Sequence, residues 1–319
     1  MEGVVDHHMR RTLTTMHTAD GHAAVDICVT EFIRVTDHLL PRRVFLRSCP
    51  ELDKKALDKN LPCPVRVQLL GSNPEALAAN ALRAAEMGAP AIDLNFGCPA
   101  KTVNRHRGGA CLLDDTELLA TIVRQVRNNV PGSIPVTVKI RLGYENRDSY
   151  LKNAKAIEAA GASELIVHAR SKADGYRPPA YWDCIGEIRN ALTIPVVANG
   201  EIWSLEDFLL CQQQSGCTDI MLGRGLLAKP DLALEIKHHM AGLPHTPLSW
   251  HQVTERLLRF FLDTCDDYPE KYIGNRVKQW LHYLQRTYPR AQTLFDAIKG
   301  SRDRYFLQQQ LQLELNIPQ

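Results

Sequence analysis

Seven short runs rich in Val and Ile recur along the chain, separated by stretches of helical periodicity, and this repeat constrains the fold more than any other feature. The runs are 25–29, 65–70, 91–96, 136–142, 164–168, 194–198 and 219–222. They read as apolar on both faces, as expected of parallel strands covered on both sides. The intervening helices carry their own punctuation. Ser72-Asn73-Pro74-Glu75 supplies a cap and a first-turn Pro, and Gly88 suits the position just past the end. Asp115-Thr116-Glu117 opens a helix to 129, a helix over 147–160 ends at Gly161, and 182–192, 204–215 and 230–240 complete the set. A strand-then-helix repeat of this kind is a (β/α) barrel or a doubly wound sheet.

The polar residues decide between the two. Nearly every run ends in chemistry at its C-terminal side: Thr30-Glu31, Gln68, Asn95 to Cys98, Lys139 and Arg141, His168 and Arg170, Asn199-Gly200-Glu201 and Gly223-Arg224-Gly225. A closed barrel brings all those ends to one mouth, whereas an open sheet concentrates function at a single switch point. The expected fold class is therefore α/β, a TIM (β/α)8 barrel, with seven of its strands legible.

Residues 241–247 carry one Gly and two Pro and read as a linker. Helical periods follow over 249–266, 276–288 and 290–299, with no strand-like run between them. The expected domains are a barrel over 1–240 and a small helical bundle over 248–319. The formal net charge is only +2, but residues 271–319 hold eight Lys and Arg against three Asp and Glu. Arg276, Lys278, Trp280, Tyr283 and Arg286 place cations and aromatics together there. One reading is a solvated helix with Trp280 and Leu284 in the core. The other is a nucleic-acid surface.

Composition removes several classes. With 45% hydrophobic and 23% charged residues, the chain has ordinary globular make-up. No stretch approaches the roughly 18 apolar residues of a membrane helix, and the first thirty residues lack a signal peptide's apolar block. The expectation is a cytoplasmic protein without membrane contact. Nine Cys with no CxxC pair argue against a disulfide framework, a structural zinc or an iron–sulfur cluster, so no metal is expected.

The most informative stretch is Asp93-Leu-Asn-Phe-Gly-Cys-Pro-Ala-Lys-Thr-Val. It places the Cys98 thiol just past a strand, between Gly97 and Pro99, whose restricted backbones aim it. A thiol with a pKa near 8.5 is mostly protonated at neutral pH and serves as a general acid as readily as a nucleophile. Lys139 lies inside a strand, where an ammonium facing a barrel core needs a partner. A Schiff-base lysine is one reading of it.

Taken in order, several motifs resemble the tRNA-dihydrouridine synthases, FMN-dependent barrel enzymes that reduce D-loop uridines. They are Met-Glu-Gly-Val at the start, Val-Gln-Leu-Leu-Gly around Gln68, Asp-Leu-Asn-x-Gly-Cys-Pro around Cys98, Val-Lys-x-Arg-Leu-Gly from Val138, Val-His-x-Arg from Val167, Ala-Asn-Gly-Glu-Ile from Ala198 and Gly-Arg-Gly from Gly223. Arg-Val-Lys-Gln-Trp-Leu-His-Tyr-Leu from Arg276, with Thr-Glu-Phe-Ile-Arg ending at Arg34, resembles the bacterial C subclass, which modifies U16.

The resemblance implies FMN as cofactor, NADPH or NADH as reductant, hydride delivery from flavin N5 to uracil C6, and a proton from Cys98 to C5. It implies cofactor contacts from Met1, Glu2, Gln68, Lys139 and His168. Asn199, Gly200, Glu201, Gly223 and Arg224 would form the phosphate cup, in the loops where barrels commonly place one. Arg34, Asn95, Lys101, Arg170, Tyr176, Arg276, Lys278 and Tyr283 are the expected tRNA contacts, on a monomer. In the family the first strand precedes an Ala-Pro-Met-Glu-Gly turn. The resemblance therefore implies a true start upstream of Met1; the sequence from Met1 lacks the first strand, and if that short form is real strands two and eight are left as unpaired neighbours. Two other classes compete: a phosphate-binding barrel lyase using Lys139 as a Schiff base, and an RNA-binding module without activity.

Overall fold

The computed structural model describes residues 1–18, 21, 23–53 and 63–317. Its strands are β1 (Cys28–Val29), β2 (Ile33–Arg34), β3 (Val65–Leu70), β4 (Ile92–Asn95), β5 (Val136–Arg141), β6 (Glu164–His168), β7 (Val196–Asn199) and β8 (Ile220–Met221). The helices, in chain order, are α1 (His7–Thr14), α2 (Arg42–Ser48), α3 (Pro74–Glu86), α4 (Lys101–Asn104), α5 (Thr116–Asn129), α6 (Tyr150–Ala159) and α7 (Trp182–Ala191). They continue with α8 (Leu205–Ser215), α9 (Arg224–Ala228), α10 (Leu232–Met240), α11 (Trp250–Asp267), α12 (Asn275–Leu284), α13 (Arg290–Ile298) and α14 (Arg304–Leu315).

The chain forms two compact units. The first holds 1–2, 27–202 and 206–222; the second holds 3–26, 203–205 and 223–319. The 241–247 linker lies within the second unit, which also takes in an N-terminal segment. That segment joins it through α1. Met9 and Leu13 are buried, and the Asp6 carboxylate that caps α1 accepts from the Met9 amide, from Tyr268 and from Arg276. Residues 318 and 319, the end of the expected helical domain, lie outside the described residues.

In the first unit all ladders are parallel, in the order β1-β3-β4-β5-β6-β7-β8, with β2 also on β3. This is the strand–helix succession of a (β/α) barrel, open between β8 and β1 among the described residues. The run at 25–29 is shorter than its composition suggests. Its ladder breaks at Thr30, whose hydroxyl takes the Gln68 amide hydrogen at 3.0 Å, and pairing resumes at Ile33↔Leu69.

The strands also differ from an apolar-on-both-faces reading. Val67, Leu69, Ile92, Leu94, Val138, Ile140, Leu165 and Val167 are buried, while the alternate positions carry Arg66, Gln68, Asp93, Asn95, Thr137, Lys139, Arg141, Glu164 and His168. Successive side chains on a strand point to opposite faces, so these polar residues share one face. Cross-strand contacts confirm this, including an Arg66–Glu164 ion pair. The helix signals perform as expected. Asn73 accepts from the Ala76 amide, Asp115 from the Leu118 amide, and Gly88 and Gly161 sit at φ 98° and 97° just past α3 and α6. α6 begins at Tyr150 rather than 147, because Asn146 accepts from the Asp148 amide in a local turn that competes with helix.

Among the described residues the second unit is built of helices, with one isolated antiparallel bridge between His17 and Ala23. Its core holds Leu257, Phe260, Phe261, Val277, Trp280, Leu281, Leu284, Leu294 and Leu307. Trp280 meets Phe260 edge-on at 5.3 Å and donates its indole N–H to the Leu227 carbonyl at 3.0 Å. The core reading of Trp280 and Leu284 therefore holds. α11 opens with a complete capping box between Ser249 and Gln252. The helix α14, absent from the sequence reading, has Asp303 as its cap and buries Leu307 and Leu311. Its Gln-rich pattern offers only a narrow apolar stripe.

Candidate active site

The C-terminal ends of β3 to β7 carry a connected polar network. Asp93 is fully buried. Thr137 donates to its Oδ1 at 2.6 Å and Gln68 Nε2 to its Oδ2 at 2.7 Å. Asn95 Nδ2 donates to Gln68 Oε1 at 2.9 Å, and Asn95 Oδ1 accepts from the Gly97 amide. The Gln68 amide is thus held in one orientation from both ends. Burial disfavours the charged form of Asp93 and pushes its pKa up to about 6, against the opposing pull of Thr137, Gln68 and the cations Arg66 and Lys139.

Lys139 is half-buried and donates to Asn199 Oδ1 at 3.1 Å, while Asn199 Nδ2 donates to the Met221 carbonyl at 2.7 Å. Burial, with Arg141 adding to it, brings the Lys139 ammonium down to about 8. Asp93 and Cys98 act in the other direction, which places the thiol within electrostatic range of this ammonium. Desolvation lowers the pKa of the Met1 α-amino group, and Glu31, Lys139, Cys98 and Glu2 all act on it.

Cys98 sits on a braced loop. Its carbonyl accepts from Asn104 Nδ2 at 2.9 Å and from the Ala110 amide at 3.0 Å, and Asn104 Oδ1 takes the Cys111 amide. Gly109, at φ 70°, permits this closeness, since a Cβ there would stand 2.7 Å from the Cys98 oxygen. Burial raises the thiol pKa above its ordinary value, so Cys98 carries its proton at neutral pH.

Around the rim, His168 is buried and faces Gly200, where a Cβ would lie 3.2 Å from the imidazole. Gly200 has φ 112° and Glu201 φ 62°, a turn that brings backbone against the ring. Tyr176 is half-exposed, edge-on to His168 at 6.0 Å, with the Arg141 guanidinium 5.2 Å from its ring centre.

Gln68, Asn95, Cys98, Lys139, His168, Asn199 and Gly200 are therefore brought together, with Met1 and Glu2 beside them. Arg34 and Lys101 are exposed in the same unit. Arg170 belongs to the same unit. It is fully buried, donating to Glu201 at 2.7 Å and to the Pro179 carbonyl, and it holds the Gly200–Glu201 turn.

The remaining expected residues belong to the helical unit. Gly223 caps α9 and Arg224 stacks over Trp203 at 4.9 Å. Arg276 bonds Asp6, Gln279 and the Gly3 and Val4 carbonyls, and Lys278 bonds the Ser301 carbonyl. Each of these two cations is thus tied to its own unit. Tyr283 is half-buried beside His282.

The sequence reading assigned no role to Asp93, Asn104 or Arg141. Arg141 donates to the carbonyls of Gly97, Ser171 and Gly175 and so ties the loop after β4 to two points of the loop after β6. The available signal was its spacing of two from Lys139, which puts both on one strand face.

A parallel β/α unit with a protonated thiol, a desolvated ammonium and fixed amides at its strand ends is an enzyme of the barrel class. The chain belongs to the dihydrouridine synthase family, whose profile, described as Dihydrouridine synthase (Dus), matches residues 1–313. A protein of Pseudomonas putida named tRNA-dihydrouridine(16) synthase is 48% identical over 303 residues, covering 95% of this chain and 92% of its own length. One of the same name from Shewanella oneidensis is 48% identical, covering 94% and 91%, and one from Neisseria meningitidis is 44% identical, covering 95% and 89%. Membership makes the chain an oxidoreductase rather than a Schiff-base lyase. Among the described residues no helix is long and apolar enough to cross a membrane.

Proposed function

We propose that this protein reduces a uridine in the D-loop of tRNA, at position 16, to 5,6-dihydrouridine, with FMN as cofactor and NADPH as the source of electrons. The observation that carries the reading is Cys98, held protonated by burial on a braced loop within the field of Lys139. The site fits a flavin. Lys139 is a desolvated cation with one amide partner, Gln68 presents an amide fixed by Asp93 and Asn95, and Gly200 leaves the room beside His168 that a Cβ would fill.

FMN supplies hydride to C6 of the uracil when bound. The protein does the rest. Cys98 gives the proton to C5, a transfer of general-acid type. Lys139 offers positive charge to an electron-rich ring, and its field is strongest where water is excluded. Gln68 and His168 orient that ring. Asn199, Gly200 and Glu201 are proposed for the cofactor's phosphate; Gly223 and Arg224 are proposed for it on sequence grounds alone. Arg34, Lys101 and Tyr176 are proposed for RNA, as is Tyr283 in the helical unit. A uridine in folded tRNA must leave its stack to be reached.

The test is mass spectrometry of D-loop uridines in tRNA from a strain lacking the gene, with and without this chain. Restored dihydrouridine at position 16 is the expected result. Restoration at another D-loop position would overturn the positional assignment, and none at all would favour an RNA-binding module.

A further inference from the structure

Away from the catalytic unit, three ligand-type side chains converge within the helical unit. His7 and His8 are the first two residues of α1, and Asp267 is the last of α11. Nε2 of His7 lies 3.1 Å and Nε2 of His8 2.9 Å from the same oxygen, Asp267 Oδ2. All three donor atoms fall within 4.8 Å of one another. Around a tetrahedral ion with bonds of about 2.0–2.1 Å, ligand atoms sit roughly 3.3 Å apart, so two edges of such a site are nearly in place.

A second observation points to a ligand. His8 is 7% exposed, and its Nε2 finds no hydrogen-bond partner, because the approach to Asp267 has the distance but not the geometry of a hydrogen bond. Leaving such a nitrogen unpaired in the interior is unfavourable. The two imidazoles lie side by side, ring centres 3.9 Å apart and tilted by 38°. The nearby Asp6 carboxylate does not compete, being engaged by Met9, Tyr268 and Arg276.

We propose that His7, His8 and Asp267 bind one divalent ion of the zinc class, clipping the start of α1 to the end of α11. Two imidazoles and a carboxylate are a borderline donor set that suits zinc, with water as fourth ligand. The clip would join segments 260 residues apart in the chain, where closing the loop costs the most entropy.

The test uses the untagged full-length protein, stripped with chelator and titrated with Zn²⁺ by calorimetry and with Co²⁺ by visible absorption. One equivalent should bind, Co²⁺ should show the intense band of four-coordination, and Zn²⁺ should raise the melting temperature. Asp267 is exposed, so Asp267→Asn folds normally and should weaken Zn²⁺ at least roughly tenfold, about 1.4 kcal/mol. His7→Gln should do the same, and both variants should keep dihydrouridine formation. No saturable Zn²⁺ binding to the wild type would overturn the proposal. So would equal binding by the wild type and both variants, which would place the ion elsewhere, for instance on the free cysteines.

Discussion

Two buried carboxylates, one in each unit, respond to burial in opposite ways. Asp93 has Thr137 and Gln68 as neutral donors and no cation in contact, so desolvation prevails and its pKa rises to about 6. Asp6 suffers desolvation too, but Arg276, the Met9 amide and Tyr268 together outweigh it and its pKa falls below 3.8. At Asp6 the helical unit uses a buried charge as a fastener, satisfied by Met9, Tyr268 and Arg276. The catalytic unit keeps its charges partly uncompensated, Asp93 and Lys139 both drawn toward neutrality. Perturbed groups of that kind collect where chemistry is done.

This contrast can be broken by experiment. The largest effect belongs to Cys98→Ala. Dihydrouridine formation should fall about 10²–10⁴-fold, the usual range for loss of a general acid, with folding unchanged. Full retained activity in a tRNA assay would remove the thiol from the mechanism.

Arg276→Ala tests the fastener. It leaves Asp6 buried without its cation and should cost about 3 kcal/mol in urea unfolding. Should stability hold while tRNA affinity drops, Arg276 would return to the RNA-binding role that its motif implies.

The two carboxylates also predict opposite pH dependences. The raised pKa of Asp93 means that its contribution is fully present below about 3.8 and is lost as pH rises through about 6, a swing of about 3 kcal/mol for two pKa units. Asp6 contributes above 3.8 and loses its contribution as pH falls through its depressed folded value. Hydrogen exchange from pH 7 to 5 should therefore slow in β3 to β5 relative to the chemical rate, and Asp93→Asn should abolish the change. The same variant removes a group that supports the Lys139 charge. Activity lost as pH rises past about 8 should then be lost from a lower pH.

A smaller effect is expected at Gly200→Ala, where the positive φ and the 3.2 Å approach to His168 should cost about 1–3 kcal/mol and weaken flavin retention. The smallest is Ser249→Ala, which removes half of the α11 capping box for about 1 kcal/mol of stability with activity intact.

Much of the catalytic unit was legible because local rules decide it. Asn73 and Asp115 cap where their side chains reach the third amide, Gly88 and Gly161 stop helices at positive φ, and Cys98 lies in a loop spelled out by Gly97, Pro99 and Gly109. The helical unit was less so. α1 is only eight residues long, too short for its amphipathic pattern to separate from its surroundings, and α14 has a narrow apolar stripe, so neither stood out before its partners were known.

The order of strands and helices, the thiol loop and the family itself follow from the linear chain, since capping, periodicity and motif spacing are properties of neighbours in sequence. Whether a cation faces a ligand or a carboxylate is not such a property. Arg276 and Asp6 are 270 residues apart and Arg170 and Glu201 are 31 apart, and only packing reveals that each pair is closed. The same holds for Asp93. Its pKa depends on how completely water is excluded and on which donors lie within about 3 Å, and both are set by the tertiary fold.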